Sequence, residues 1–94
     1  MPLVNMKPLL RHAMDNGYAV AAFNLVDYST TKAMVKAAEE LDAPVICQTS
    51  SKTIKHYSHR EIVSWVRTVA DASPVPVVLH LDHCHDLAMI EECA

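Results

Sequence analysis

Apolar positions recur along this chain with two alternating periods. After Asn5, a residue type that caps helices, Leu9, Leu10, Ala13 and Met14 fall on one helical face, and Gly17 suits the position just past a helix end. Ala19-Val20-Ala21-Ala22-Phe23 is an uncharged run of strand length closed by Asn24. Asp27 or Ser29 can cap a second helix whose face is Met34, Ala37, Ala38 and Leu41, with Pro44 stopping it. Val45 to Thr49 predicts the next strand, and Ser50 to Tyr57 reads as a polar connection holding Lys52 and Lys55. Ser58-x-x-Glu61 has the form of a capping box, followed by the apolar helical face Ile62, Trp65, Val66 and Val69. Ser73-Pro74 ends that helix, Val77 to Leu81 predicts a third strand, and Asp86 can cap a last helix from Leu87 to Glu92.

Strands that alternate with helices of this length imply βαβ units and a parallel sheet, so the expected class is α/β. The strands read as continuous apolar runs, which is the pattern expected where both sheet faces are covered. Ninety-four residues allow one small domain. At 51% hydrophobic and 20% charged residues the chain is globular rather than disordered. A net charge of −3 without a basic cluster argues against a nucleic-acid partner. The apolar runs fall well short of the roughly 18 residues that a membrane span needs, and no signal peptide is evident, so a cytoplasmic protein without a membrane partner is expected. Cys47, Cys84 and Cys93 are odd in number and lack metal-like spacing, which fits reduced thiols. Gly17 is the single glycine, so the chain has no glycine-rich phosphate loop.

Candidate chemistry collects after the strands, where α/β proteins bind ligands. Asn24 follows the first strand; Thr49, Ser50 and Ser51 follow the second; Asp82 and His83 follow the third. His80 and Asp82 lie two apart and share a strand face, while His83 points the other way if the strand continues. A carboxylate there can exchange a proton with a substrate hydroxyl or carbonyl, and a neutral imidazole can bind a zinc ion. Plainer readings exist for each. Asp82 can simply cap a helical turn, and a lone histidine is more often a surface or core residue than a ligand. His83-x-His85 is a weak metal pair by itself. His56 and His59 read as solvated loop residues, and His12 as an outer-face residue of the first helix. Lys52 and Lys55 can attract a phosphate, although loop lysines are usually just solvated.

Three segments together carry a resemblance. Tyr18-Ala19-Val20-Ala21-Ala22-Phe23-Asn24, Ala43-Pro44-Val45-Ile46-Cys47-Gln48-Thr49-Ser50 and Leu79-His80-Leu81-Asp82-His83 look like class II, metal-dependent ketose-bisphosphate aldolases, which include the fructose-bisphosphate and tagatose-bisphosphate enzymes. Their order and spacing match along the chain, and Met1-Pro2-Leu3-Val4 with the helix after it also looks like that family's start. The family folds as a TIM barrel of about 250 residues. By resemblance, residues 1–94 form a partial barrel segment: a leading helix plus the first three β/α units of a (β/α)8 barrel, with parallel strand order 1-2-3. The implied activity is reversible cleavage of a ketose 1,6-bisphosphate to dihydroxyacetone phosphate and glyceraldehyde 3-phosphate, a step of carbohydrate metabolism such as glycolysis.

The resemblance also implies roles for residues. His83 becomes a Zn²⁺ ligand, Asp82 the acid/base at the aldehyde oxygen, and Asn24 and Ser50 substrate-binding residues. Cys84 stands where many members carry glycine and some carry cysteine. The other zinc ligands, the second proton-transfer carboxylate and the phosphate loops are expected outside this chain, so the isolated chain is expected to be inactive. Its interior sheet face, with Val20, Ala22, Ile46, Val78 and His80 or their alternates, is expected to drive self-association or homo-oligomers. Two rivals remain: a non-catalytic truncated relic that self-associates through open sheet edges, and a small metal-binding module using His80, His83 and His85.

Overall fold

The structure is a computed structural model that describes residues 3–82, 84 and 87–93. It opens with helix α1 (Met6–Asn16). Asn5 caps it by accepting from the Lys7 N–H at 3.0 Å, and Gly17 ends it at φ +70°, a conformation glycine adopts without steric cost. The Tyr18 N–H then closes onto the Ala13 carbonyl at 3.0 Å. Strand β1 (Ala21–Asn24) and helix α2 (Tyr28–Glu40) follow. Asp27 is the α2 cap, accepting from the Thr30 N–H at 2.7 Å and from the Thr30 hydroxyl at 2.6 Å. The Thr30 hydroxyl first, and the Thr30 backbone N–H second, hold its carboxyl below the usual carboxylate range. At the other end of α2, Asp42 turns left-handed at φ +50°. Its N–H reaches the Glu39 carbonyl at 3.1 Å and that of Ala43 the Ala38 carbonyl at 3.0 Å, so two orphan carbonyls are satisfied.

Strand β2 (Val45–Ser50), helices α3 (Ser51–His56) and α4 (His59–Asp71), strand β3 (Val77–Asp82) and helix α5 (Leu87–Cys93) complete the described chain. The three strands form one parallel sheet in the order β1-β2-β3, as the alternating pattern predicts. Val45 pairs with Ala21 on one side and Val77 on the other. Pairing runs one residue beyond each expected strand, to Asn24, Ser50 and Asp82, because the ladder bonds belong to the backbone. Near the start, Leu3 bridges Val77 and the Val4 N–H donates to the Val77 carbonyl at 3.0 Å.

The main core fills the space between one sheet face and helices α2 and α4. Val45, Cys47 and Val77 from the sheet meet Val35 and Ala38 from α2 and Ile62, Val66 and Ala70 from α4. The Ser58 hydroxyl accepts from the Glu61 N–H at 3.1 Å, so the capping expectation for α4 holds on that side. Four other expectations need correction. The α2 face is Thr31, Val35 and Ala38, with Met34 half-buried, while Ala37 and Leu41 are exposed. Thr31 is buried without penalty because its hydroxyl donates to the Asp27 carbonyl at 2.8 Å. On α1 only Ala13 is buried, and Met14 is 81% exposed. The connection from Ser50 to Tyr57 contains α3, which Ile54 anchors by burying its side chain. All four residues of β1 are exposed, since it lies at the sheet edge, so continuous apolar composition does not mean two covered faces there. The expected cap Asp86 lies outside the described residues.

Candidate active site

Asn24, Ser50 and Asp82 are the last residues of three neighbouring parallel strands. All three therefore stand at the carboxyl end of one sheet. The register adds the face. Asn24 lies level with Gln48, and Gln48 with His80, while Ser50 lies level with Asp82. Side chains alternate along a strand, so Gln48 and Ser50 share a face, as do His80 and Asp82. The Gln48 side-chain amide donates to the Asn24 side-chain oxygen at 3.2 Å, which closes the row across the strands. The result is a polar layer of Asn24, Gln48 and His80 with Ser50 and Asp82 above it. Gln48 escaped the sequence reading, although its place two residues before Ser50 is the signal that could have found it.

The Ser50 hydroxyl also has a structural task. It accepts from the Thr53 N–H at 3.5 Å and lies 3.4 Å from the Thr53 hydroxyl at the start of α3. A hydroxyl that accepts there still has a proton to donate to a ligand. Asn24 and Ser50 open onto one cavity of about 460 Å³, which Leu25, Val26, Lys52, Thr53, His56 and Tyr57 complete. Asp82 is half-buried on the strand beside Ser50.

Other candidates separate from this group. Thr49 has the opposite parity, is buried, and faces an apolar cavity with Ile54, Ile62, Leu79 and Leu81; its hydroxyl has no hydrogen-bond partner among the described residues. Ser51 begins α3. His56 and His59 stand in helices rather than a loop; His59, half-buried, lines the apolar cavity, which corrects the solvated-loop expectation for it. His12 is exposed and lies 2.6 Å from the Tyr18 hydroxyl. Burial pushes the Cys47 thiol up to about 11, so it is no nucleophile near neutral pH. His83 and His85 lie outside the described residues. Among the described residues no group of three or more His, Cys, Asp or Glu is placed to hold a metal ion. A catalytic zinc needs about three protein ligands, so the described donors alone do not fit one. No described helix is long and apolar enough to cross a membrane.

A family profile described as Fructose-bisphosphate aldolase class-II matches residues 4–94. The chain belongs to this aldolase family. It is 42% identical over 84 residues to a fructose-bisphosphate aldolase of Mycoplasma pneumoniae, covering 86% of this chain and 29% of the relative. A fructose-bisphosphate aldolase of Cupriavidus necator is 39% identical over 84 residues, covering 88% of this chain and 24% of that protein. The crystal structure of the YdjI aldolase from Escherichia coli K12 superposes with a TM-score of 0.86 at 26% identity, over 96% of this chain and 35% of that one. The chain thus spans about a third or less of the length of the aldolases it matches, and its three parallel strands correspond to part of their fold.

Proposed function

We infer that this chain supplies one wall of a class-II aldolase site that reversibly cleaves a ketose 1,6-bisphosphate into dihydroxyacetone phosphate and glyceraldehyde 3-phosphate. The observation that carries this reading is the position of Asn24, Ser50 and Asp82 at the carboxyl ends of adjacent strands. In the cleavage direction the Asp82 carboxylate takes the proton of the ketose hydroxyl beside the breaking carbon–carbon bond. The electron pair of that bond passes to the ketose carbonyl and gives an enediolate, while the hydroxyl carbon leaves as the aldehyde. Asn24 and Ser50 offer an amide and a hydroxyl to the substrate's oxygens. Gln48 orients Asn24 by donating to its carbonyl oxygen, so the Asn24 amide N–H₂ is the group left to face substrate. His83 is the proposed zinc ligand, on the strength of the family pattern, with the remaining ligands outside the described residues. Zinc, when bound, supplies Lewis-acid stabilisation of the developing negative oxygen.

By itself the 94-residue chain is expected to turn over little substrate. The test is therefore a chimera in which it replaces the matching segment of the Mycoplasma pneumoniae relative. Cleavage of fructose 1,6-bisphosphate should survive the swap. Asp82→Asn in the chimera should then lower kcat by about 10²–10⁴-fold with little change in KM, the usual contribution of a general acid/base. His83→Ala should lower the zinc content. Unchanged kcat in Asp82→Asn would remove Asp82 from the chemistry, and unchanged zinc in His83→Ala would remove the ligand role.

A further inference from the structure

Helix α1 carries more apolar surface than the fold covers. Ala13 is buried, but Leu10 is 41% and Met14 81% exposed. With the half-buried Met6 they form a stripe spaced every four residues along the helix. A charged stripe of Lys7, Arg11 and Asp15 runs beside it at the same spacing. Both stripes line one groove of about 510 Å³. The charges oppose the helix that carries them. Lys7 stands in the first turn, where unpaired N–H groups make the end positive, and Asp15 stands in the last turn, where carbonyls make it negative. The first turn holds no acidic residue and the last turn no basic one. At eleven residues, α1 is also shorter than the roughly 12–15 residues at which an isolated helix becomes stable in water. Such a helix gains from a partner that presents the opposite ends.

We propose that this face of α1 is a homodimer interface, in which two copies of the chain pair their first helices antiparallel. Each stripe is symmetric about its middle residue, so a two-fold axis between Leu10 and Arg11 matches both stripes at once. Met14 of one copy then lies on Met6 of the other, and Leu10 on Leu10. Lys7 of each copy falls beside Asp15 of the other, since both stand four residues from Arg11. Lys7 thereby meets the negative helix end of the second copy and Asp15 the positive end, so charges misplaced in one copy are well placed in two. Arg11 meets Arg11 across the axis, and Asp15, one turn away on the same stripe, offsets that repulsion. An interface this narrow belongs to the weak class, so the dimer forms at high protein concentration. The proposal is independent of the aldolase reading, because the groove shares no lining residue with the cavity at Asn24 and Ser50.

The experiment follows the 94-residue chain over a concentration series by analytical ultracentrifugation and by NMR of its methionine methyl groups. Raising the concentration should produce a species of twice the chain's mass. It should move the Met6 and Met14 signals and leave that of Met34, which packs against the core from α2. Lys7→Glu reverses two contacts, because the pair occurs twice in the dimer, and should weaken association about tenfold. Asp15→Lys should do the same. Both substitutions place the favoured sign at a helix end, so circular dichroism should show helix content kept or raised, which separates lost pairing from lost folding. An equimolar mixture of the two variants should form the dimer again, because each then meets only opposite charges. The double variant Lys7→Glu/Asp15→Lys should associate as the wild type does. A chain that stays monomeric at every concentration overturns the proposal. Association indifferent to both reversals overturns it as well, since the contact then lies elsewhere, and so does a mixture that fails to restore the dimer.

Discussion

The two faces of the sheet do opposite work. On the face toward α2 and α4, Val45, Cys47 and Val77 are at most 2% exposed and pack against Val35, Ile62, Val66 and Ala70. On the other face the strands end in the polar row of Asn24, Gln48 and His80 with Ser50 and Asp82 above it. Beneath that row, Ala22, Ile46 and Val78 form an apolar level, of which Ile46 and Val78 are buried. Alternation along a strand is what permits this division. One residue contributes to the core and the next to the proposed site, so each strand can serve both without placing a carboxylate in an apolar layer. The lesson is that mutations one position apart in β2 or β3 should report on different properties.

The largest effect should come from the helix-covered face. Ile62→Ala empties a position that is 1% exposed, and such truncations cost about 2–5 kcal/mol. For a domain of this size the melting temperature should fall by roughly 4–8 °C for each kcal/mol. Chemical denaturation of the wild type and the variant measures it. A loss below about 1 kcal/mol would mean that this face is not the main source of stability.

Cys47 gives the next test of the same face. Desolvation raises its folded-state pKa from 9.0 to about 11. The folded state therefore holds its proton where the unfolded chain releases it. The resulting stability is complete below pH 9 and is lost as pH rises toward and through 11. Stability should fall between those values by up to about 1.4 kcal/mol per pH unit from this group. The decline from pH 8 to pH 11 should be smaller in Cys47→Ala, read as denaturation midpoints at each pH. Identical slopes would mean that the thiol is hydrated.

A smaller change of opposite sign is expected at Thr49. Its buried hydroxyl has no described partner and is surrounded by Ile54, Ile62, Leu79 and Leu81. Thr49→Val keeps the shape and removes the unpaired group, so stability should rise by about 1 kcal/mol. A loss of stability instead would show that the hydroxyl is satisfied, for instance by a water molecule.

These contrasts also show what was legible in the chain. Asn5, Asp27 and Ser58 announce helix starts because a side-chain oxygen next to an orphan N–H acts locally. The apolar runs announce strands, and their ends announce Asn24, Ser50 and Asp82. Helix α3 was hidden because it buries only Ile54, which leaves no period to read. Thr31 was hidden because a satisfied hydroxyl can enter a core that composition reserves for apolar residues. The exposure of β1 depends on which strands stand beside it, which no local pattern encodes. Adjacency in the sequence groups Thr49 with Ser50, although strand parity sends it to the opposite face.

The smallest effect should come from the middle of the polar row. Gln48→Ala removes the amide that donates to Asn24, but that hydrogen bond is exposed. Water replaces an exposed partner, so the stability change should stay within about 0.5 kcal/mol. In the chimera the same variant frees the Asn24 side chain to turn. KM for the bisphosphate should rise by a few-fold while the fold persists. The pair of measurements separates a positioning role from a structural one. A denaturation midpoint lowered as far as in Ile62→Ala would make the polar row part of the core, and the contrast between the two faces would then fail.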